Sequence, residues 1–209
     1  MLGADLLGFH TQLHCNNFIE TVGRELESLI DFEQFTITRN NHISYIKPFP
    51  ISISFPNGFD KSSNPDKRNQ LMKSLVIKTK YIGLGVDRLD YTKGILERLK
   101  AIEIFLNKYP SYLGNFTFIQ IAAPSRTKVK KYRDFALEVE KEVERINNLF
   151  KANSWKPIVL LAKHHNHTQI QQFYQSADFC LVTSLHDGMN LVAKEYVASR
   201  NDEKGVLIL

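Results

Sequence analysis

The sequence predicts an α/β fold built on a doubly wound parallel sheet, running over most of its 209 residues. Three observations predict it. Short apolar, β-rich runs recur along residues 81–209. Helix-length segments with apolar residues at steps of three and four lie between them. The runs are compact and apolar, as in strands buried on both faces by helices. The composition, 43% hydrophobic and 23% charged, is that of a globular chain able to bury a core.

The expected strands are residues 81–86, 116–122, 158–161, 179–182 and 206–209. Helix 94–108 places Ile95, Leu99, Ile102, Phe105 and Leu106 on one face. Helix 129–150 carries Val129, Tyr132, Phe135, Val139, Val143, Ile146 and Leu149. Helices 168–176 and 191–199 follow. Strand and helix in alternation make βαβ units, so residues 65–209 are expected to form a Rossmann-like domain. Ahead of it, residues 11–30 read as one helix, with Phe18, Val22, Leu26, Leu29 and Ile30 on its apolar side. A strand at 43–47 leads into Pro48-Phe49-Pro50. Residues 52–69, rich in Ser, Asn, Pro and Asp, read as a boundary. Residues 1–60 are therefore expected to be the tail of a preceding Rossmann-like domain plus a linker. The chain is expected to be cut at both ends, because it opens on the end of a strand and stops inside one.

The net charge of +5 favours anionic partners such as nucleotides and sugar phosphates. No RNA-binding fingerprint, zinc-finger spacing or basic-zipper stretch is present, so nucleic acid is not an expected partner. No apolar run approaches the roughly 20 residues that span a bilayer. The first residues lack a signal-peptide pattern, so no membrane partner is expected and the cytoplasm is the expected location. Cys15 and Cys180 read as free buried thiols of a reducing compartment.

In open α/β sheets ligands sit beyond the carboxyl ends of the strands, so the chemistry belongs in the loops that follow them. After strand 81–86 comes Asp87-Arg88-Leu89-Asp90-Tyr91-Thr92-Lys93-Gly94. Arg88 and Lys93, beside a helix start, suit a diphosphate. They can equally pair with Asp87 and Asp90, and position does not separate the two readings. After strand 179–182 comes Ser184-Leu185-His186-Asp187-Gly188-Met189-Asn190-Leu191. Gly188 permits close backbone approach, and the amides of Met189, Asn190, Leu191 and Val192 are free helix-start donors. Asp187 can accept from sugar hydroxyls and Glu195 from a ribose diol. Taken alone, helix capping by Asp187 and a solvated Glu195 are the stronger readings. Arg126, at the end of strand 116–122, can bind phosphate or cap a neighbouring element. His10, after the first strand-like run, reads alone as structural. His164-His165-Asn166-His167 invites a zinc reading, but adjacent extended histidines point opposite ways, so a polar loop and no metal is expected. Lys128, Lys130, Lys131 and Arg133 read as the solvated side of the long helix, and Trp155 as packing at a loop.

Together the loops carry a resemblance. GVDRLDYTKGILERLKAIEIFL and LVTSLHDGMNLVAKEYVA resemble the trehalose-6-phosphate synthases of glycosyltransferase family 20. GFHT, PFPISI and IQIAAPSRTKVKKY occur in that family's order, so the resemblance covers essentially the whole chain. It implies the GT-B arrangement of two Rossmann-like domains, the second binding UDP-glucose. It implies that Arg88 and Lys93 hold the donor diphosphate, and that Glu195 holds the ribose. Asp187 and the backbone of Gly188, Met189, Asn190, Leu191 and Val192 would hold glucose and phosphate oxygens. His10 would contact the donor sugar, and Arg126 the acceptor phosphate.

The implied reaction moves glucose from UDP-glucose to glucose 6-phosphate with retention, forming trehalose 6-phosphate. It needs neither cofactor nor metal, since UDP-glucose is the donor substrate. The partners implied are this donor and a sugar-phosphate acceptor, with a homo-oligomer left open. Two alternatives accompany it: a sister enzyme using another phosphorylated acceptor such as glycerol 3-phosphate, and a silent nucleotide-sugar-binding module. His186, where many members have arginine, and the absent glycine-rich acceptor loop motivate them. The 209 residues alone are expected to be inactive.

Overall fold

The computed structural model describes residues 1–53, 65–151, 155–200, 202 and 204–209. It comprises two compact units, Met1–Ser52 and Ile53–Leu209. The expected boundary between 60 and 65 lies outside the described residues.

In the first unit β1 (Leu6–Phe9) is followed by α1 (Gln12–Glu25), β2 (Leu29–Asp31), β3 (Thr36–Arg39) and β4 (His42–Pro48). The sheet order is β1-β4-β3-β2, with β1 parallel to β4 and the other pairs antiparallel. Thr11 caps α1, its hydroxyl accepting from the His14 amide at 3.3 Å. Cys15, Ile19 and Val22 of that helix pack on Ile37 and Ile46.

The single helix expected over 11–30 is corrected here. Helix α1 closes at Leu26, and Leu29 and Ile30 belong to β2. Adjacent apolar residues on a helix would share a face. On a strand they part, so Ile30 turns back over Gly23 into the core while Leu29 is 73% exposed. The β3–β4 hairpin was not anticipated either. Asn40 and Asn41 both take positive φ, 52° and 61°, between the paired residues Arg39 and His42. That is the conformation a two-residue turn demands, and asparagine tolerates it well.

The second unit runs α2 (Pro65–Ser74), β5 (Tyr81–Arg88), α3 (Ile95–Lys108), β6 (Phe116–Ala123), α4 (Lys130–Leu149), β7 (Ile158–Leu161), α5 (His167–Ser176), β8 (Phe179–Leu181), α6 (Leu191–Ala198) and β9 (Val206–Ile208). Its five strands are all parallel, in the order β7-β6-β5-β8-β9. Every expected strand and helix of residues 81–209 is present. Helix α2 was not foreseen, and takes up the last residues of the stretch read as a boundary.

The sheet is buried on both faces. Ile95, Leu99, Ile102 and Leu106 of α3 and Val139, Val143 and Ile146 of α4 pack on Phe116 and Phe118. On the other face, Phe173 and Tyr174 of α5 and Tyr196 of α6 cover Ile82, Leu84, Ile119 and Ile121. Phe118 and Ile119 are neighbours in one strand and serve opposite layers, because strand side chains alternate. Each such aliphatic burial contributes about 1.5–3 kcal/mol. Trp155 packs against the first layer, its indole Nε1 donating to the Phe116 carbonyl at 2.9 Å.

Counted from the first strand of this unit, the strand order reads 3-2-1-4-5, that of a Rossmann-like sheet. The chain therefore leaves β5 toward one edge and later returns on its other side as β8. The loops after β5 and β8 diverge at that point and leave a crevice at the carboxyl ends of the two strands.

Candidate functional site

The loop after β5 is shaped by two residues. Asp90 caps a 3-10 turn over Tyr91–Lys93, accepting from the Thr92 amide at 3.0 Å and hydroxyl at 2.9 Å. Burial pushes the Asp90 carboxyl upward, but these two hydrogen bonds, with Arg88 and Lys93 nearby, hold it below its ordinary value. Gly94 follows at φ 62°, where a Cβ would overlap the Thr183 carbonyl oxygen. Glycine is thus what lets this loop touch the end of β8. The contact is completed by the Leu185 and His186 amides, which donate to the Thr92 carbonyl at 2.8 and 3.3 Å.

Across this contact Lys93 Nζ lies 2.6 Å from Asp187 Oδ2, both side chains being mostly buried. Asn190 Nδ2 donates to the same carboxylate oxygen at 3.0 Å, while its Oδ1 accepts from the Ala193 amide at 3.3 Å. The cap of α6 is therefore Asn190, and Asp187 is free of the capping role that the sequence allowed it. Capping takes up the third amide of α6. The amides of Leu191 and Val192, being first-turn donors, have no partner in their own helix. Gly188 does not adopt positive φ, and a Cβ there would meet nothing within 4 Å. Nothing in the fold requires glycine at this position.

The predicted acid partners of the two cations are otherwise engaged. Asp87 Oδ2 lies 2.6 Å from Arg98 Nη1. Asp90 serves Thr92 as above. Arg88 is exposed at the end of β5 and makes no ion pair among the described residues. Lys93, by contrast, is held by Asp187, not by Asp87 or Asp90.

Glu195 sits one turn into α6, its Oε2 accepting from the Tyr174 hydroxyl at 2.8 Å. Burial, then the Glu195 charge, pushes that hydroxyl above the ordinary tyrosine range, so it stays a donor. Arg126 follows β6, the neighbour of β5, at φ 47°, with Nη1 donating to the Tyr132 hydroxyl at 2.8 Å. His10 belongs to the first unit. Its Nδ1 accepts from the Ile51 amide at 3.1 Å, so the neutral ring carries its proton on Nε2. That Nε2 is buried without a hydrogen-bond partner among the described residues. Asn166 of the histidine-rich stretch caps α5 in a reciprocal capping box with Gln169.

The second unit thus gathers Lys93, Asp187, Gly188, Asn190 and the amides of Leu191 and Val192 at its switch point, with Arg88 on the same loop as Lys93. Sequence reasoning missed what lies beneath them: Arg98, Asp87 as its partner, Gln120 and Tyr174. Arg98 carried a signal, since it falls between Ile95 and Ile102 on the buried stripe of α3.

A five-stranded parallel sheet of this order, with cations and helix-start amides at its switch point, defines the class of Rossmann-like α/β proteins. Within that class the chain belongs to glycosyltransferase family 20, whose family model matches residues 1–209. It is 39% identical, over all of its length, to an alpha,alpha-trehalose-phosphate synthase [UDP-forming] of Candida albicans, and covers 44% of that protein. It also matches the crystal structure of a UDP-forming synthase from Burkholderia xenovorans in complex with glucose-6-phosphate. There the TM-score is 0.86 at 31% identity, over 97% of this chain and 45% of that one. A trehalose-6-phosphate structure from E. coli bound with UDP-2-fluoro glucose matches with a TM-score of 0.84 at 33% identity, over 97% of this chain and 45% of that one. The fold is that of the GT-B glycosyltransferases. The chain spans less than half the length of these relatives.

Proposed function

We propose that this protein is the donor-binding part of a retaining glucosyltransferase that moves glucose from UDP-glucose to glucose 6-phosphate, forming trehalose 6-phosphate. The observation that carries this reading is the cluster at the β5–β8 switch point. There Arg88, which makes no ion pair among the described residues, shares a loop with Lys93, whose only described ion-pair partner is Asp187.

Each group has a role in this reading. Arg88 and Lys93 bind the diphosphate, and the amides of Leu191 and Val192 add donors to its oxygens. Asp187, with the backbone from Gly188 to Asn190, receives the glucose hydroxyls. Glu195, oriented by Tyr174, takes the ribose diol. His10 and Arg126 keep the roles that the family resemblance implies, on the donor sugar and the acceptor phosphate.

The bond from glucose C1 to the β-phosphate oxygen breaks, and the acceptor hydroxyl oxygen bonds to C1 on the same face. Negative charge grows on the departing UDP, where Arg88 and Lys93 oppose it. Such fixed charge is usually the largest catalytic contribution. The departing phosphate oxygen takes the acceptor's proton. No protein nucleophile, cofactor or metal enters these steps.

The test is calorimetric titration of the chain with UDP, UDP-glucose and GDP-glucose. Saturable binding that prefers the uridine ligands is expected. A folded sample that binds none of them, or prefers the guanosine sugar, overturns the donor assignment. The acceptor is tested on the complete gene product by comparing glucose 6-phosphate with glycerol 3-phosphate.

A further inference from the structure

Beneath the loops of the proposed donor site lies a buried cation that contacts no solvent. The side chain of Arg98 is 0% exposed, and that of Asp87 4%. Four elements converge on its guanidinium. Nη1 donates to Asp87 Oδ2 at the end of β5, at 2.6 Å, and to Gln120 Oε1 of β6 at 2.8 Å. Nε donates to Thr183 Oγ1, just after β8, at 3.1 Å. Nη2 reaches the backbone carbonyl of Lys93 at 3.4 Å. Gln120 completes the cluster, its Nε2 donating to the Ile121 carbonyl at 3.0 Å. Room for the guanidinium comes from Gly85, where a Cβ would stand 2.6 Å from Arg98 Nη1.

The partners are not a random sample of the core. Asp87 precedes Arg88, the carbonyl belongs to Lys93 itself, and Thr183 opens the loop that carries Asp187 and Gly188. A hydrophobic residue would fill the volume at lower desolvation cost, because an ion pair at this depth is weak evidence of stabilisation. Burial pushes the Asp87 carboxyl up against the opposing pull of Arg98, so the pair stays costly. What a planar, five-donor fork supplies instead is fixed direction to several partners at once.

We infer that Arg98 is a positioning residue for nucleotide diphosphate binding: it locks the β5 and β8 loops in register so that Arg88 and Lys93 converge on one diphosphate. Arg98 touches no ligand in this assignment and acts through the cations above it. The inference rests on the donor reading given under the proposed function.

The experiment measures UDP affinity by calorimetry, and uridine affinity by competition, for the unaltered chain, Arg98→Lys and Arg98→Met. Uridine lacks the diphosphate and reports the rest of the pocket. Both variants should lose about tenfold or more in UDP affinity, of the order of one charge-assisted contact, with uridine affinity held within about twofold. Lysine should fail to rescue, since it lacks the fork. In an Arg88→Ala background the Arg98→Lys loss should shrink, because the two residues serve one contact. If UDP and uridine affinities fall together, or neither falls, Arg98 is structural only and the inference is overturned while the donor reading stands. If the unaltered chain binds no UDP, the donor reading itself fails. Should Arg98→Met not fold, Thr183→Val decides, since it removes a single acceptor. A selective loss for UDP supports the assignment and an unchanged UDP-to-uridine ratio overturns it.

Discussion

Lys93 Nζ and Asp187 Oδ2 stand 2.6 Å apart and join the loop after β5 to the loop after β8. One member is a proposed diphosphate ligand and the other a proposed sugar ligand, so their pairing competes with both ligand contacts. Nucleotide binding then has to draw Lys93 from its carboxylate partner. Asp187→Asn should release the lysine and tighten UDP by about fivefold, the scale of one partly solvated ion pair. The same change should erase the advantage of UDP-glucose over UDP. Titration of both ligands into the variant checks this, and weaker UDP binding would count against the pairing as a restraint on Lys93.

Arg88 has no such competitor among the described residues. Arg88→Ala should therefore weaken UDP by about 2 kcal/mol, the scale of a charge-assisted hydrogen bond. Thermal stability should hold within about 0.5 kcal/mol, as for an exposed residue. Unchanged UDP affinity would remove Arg88 from the diphosphate.

Two glycines in neighbouring loops should answer oppositely to alanine. At Gly94 a Cβ meets the Thr183 carbonyl at φ 62°, so Gly94→Ala should cost about 1–3 kcal/mol of stability. At Gly188 a Cβ meets nothing within 4 Å, so Gly188→Ala should leave the melting midpoint unchanged. Its effect belongs to the ligand, as weaker UDP-glucose binding. The single tryptophan, Trp155, reports unfolding in both. A destabilised Gly188→Ala would mean that its glycine serves the fold after all.

Stability should fall on the alkaline side. Burial pushes the Cys180 thiol from an ordinary 9.0 up to about 12, and the Tyr196 hydroxyl from 10.0 up to about 12. Well below pH 9 both native and unfolded chains keep these protons, and the groups contribute no pH dependence. Above it the unfolded chain releases them while the native chain retains them, so stability declines as pH rises toward 12. Cys180→Ala should reduce the decline most between about pH 8.5 and 9.5, below the ordinary tyrosine value of 10.0, leaving the share that Cys15, also raised by burial, contributes. Denaturation midpoints followed at Trp155 across pH 8–11 measure it, and an unaltered slope in the variant would show that Cys180 is not the group responsible.

The parallel sheet and its helices were determined by the sequence alone. Five compact apolar runs alternating with segments of helical period leave few arrangements that bury both faces of every strand. The loops that follow two of those runs, with Arg88, Lys93, Asp187 and Gly188, were legible because ligand chemistry in such sheets is confined to strand ends. In the first unit the sequence is ambiguous at Leu29 and Ile30. Their apolar character fits the end of a helix or the start of a strand equally well, and only pairing with β3 separates the two.

Tertiary structure decided which charges meet. Asp87 lies one residue from Arg88 in sequence and pairs with Arg98, eleven positions on. Lys93 takes a partner 94 residues away. Alternation along β5 turns Asp87 inward beneath the loop while Arg88 faces out, and the return of the chain as β8 brings Asp187 over Lys93. Composition and local spacing list the charges that a loop carries. The partner of each is fixed by strand order and by burial, because a buried carboxylate is held by the cation that the fold brings within reach.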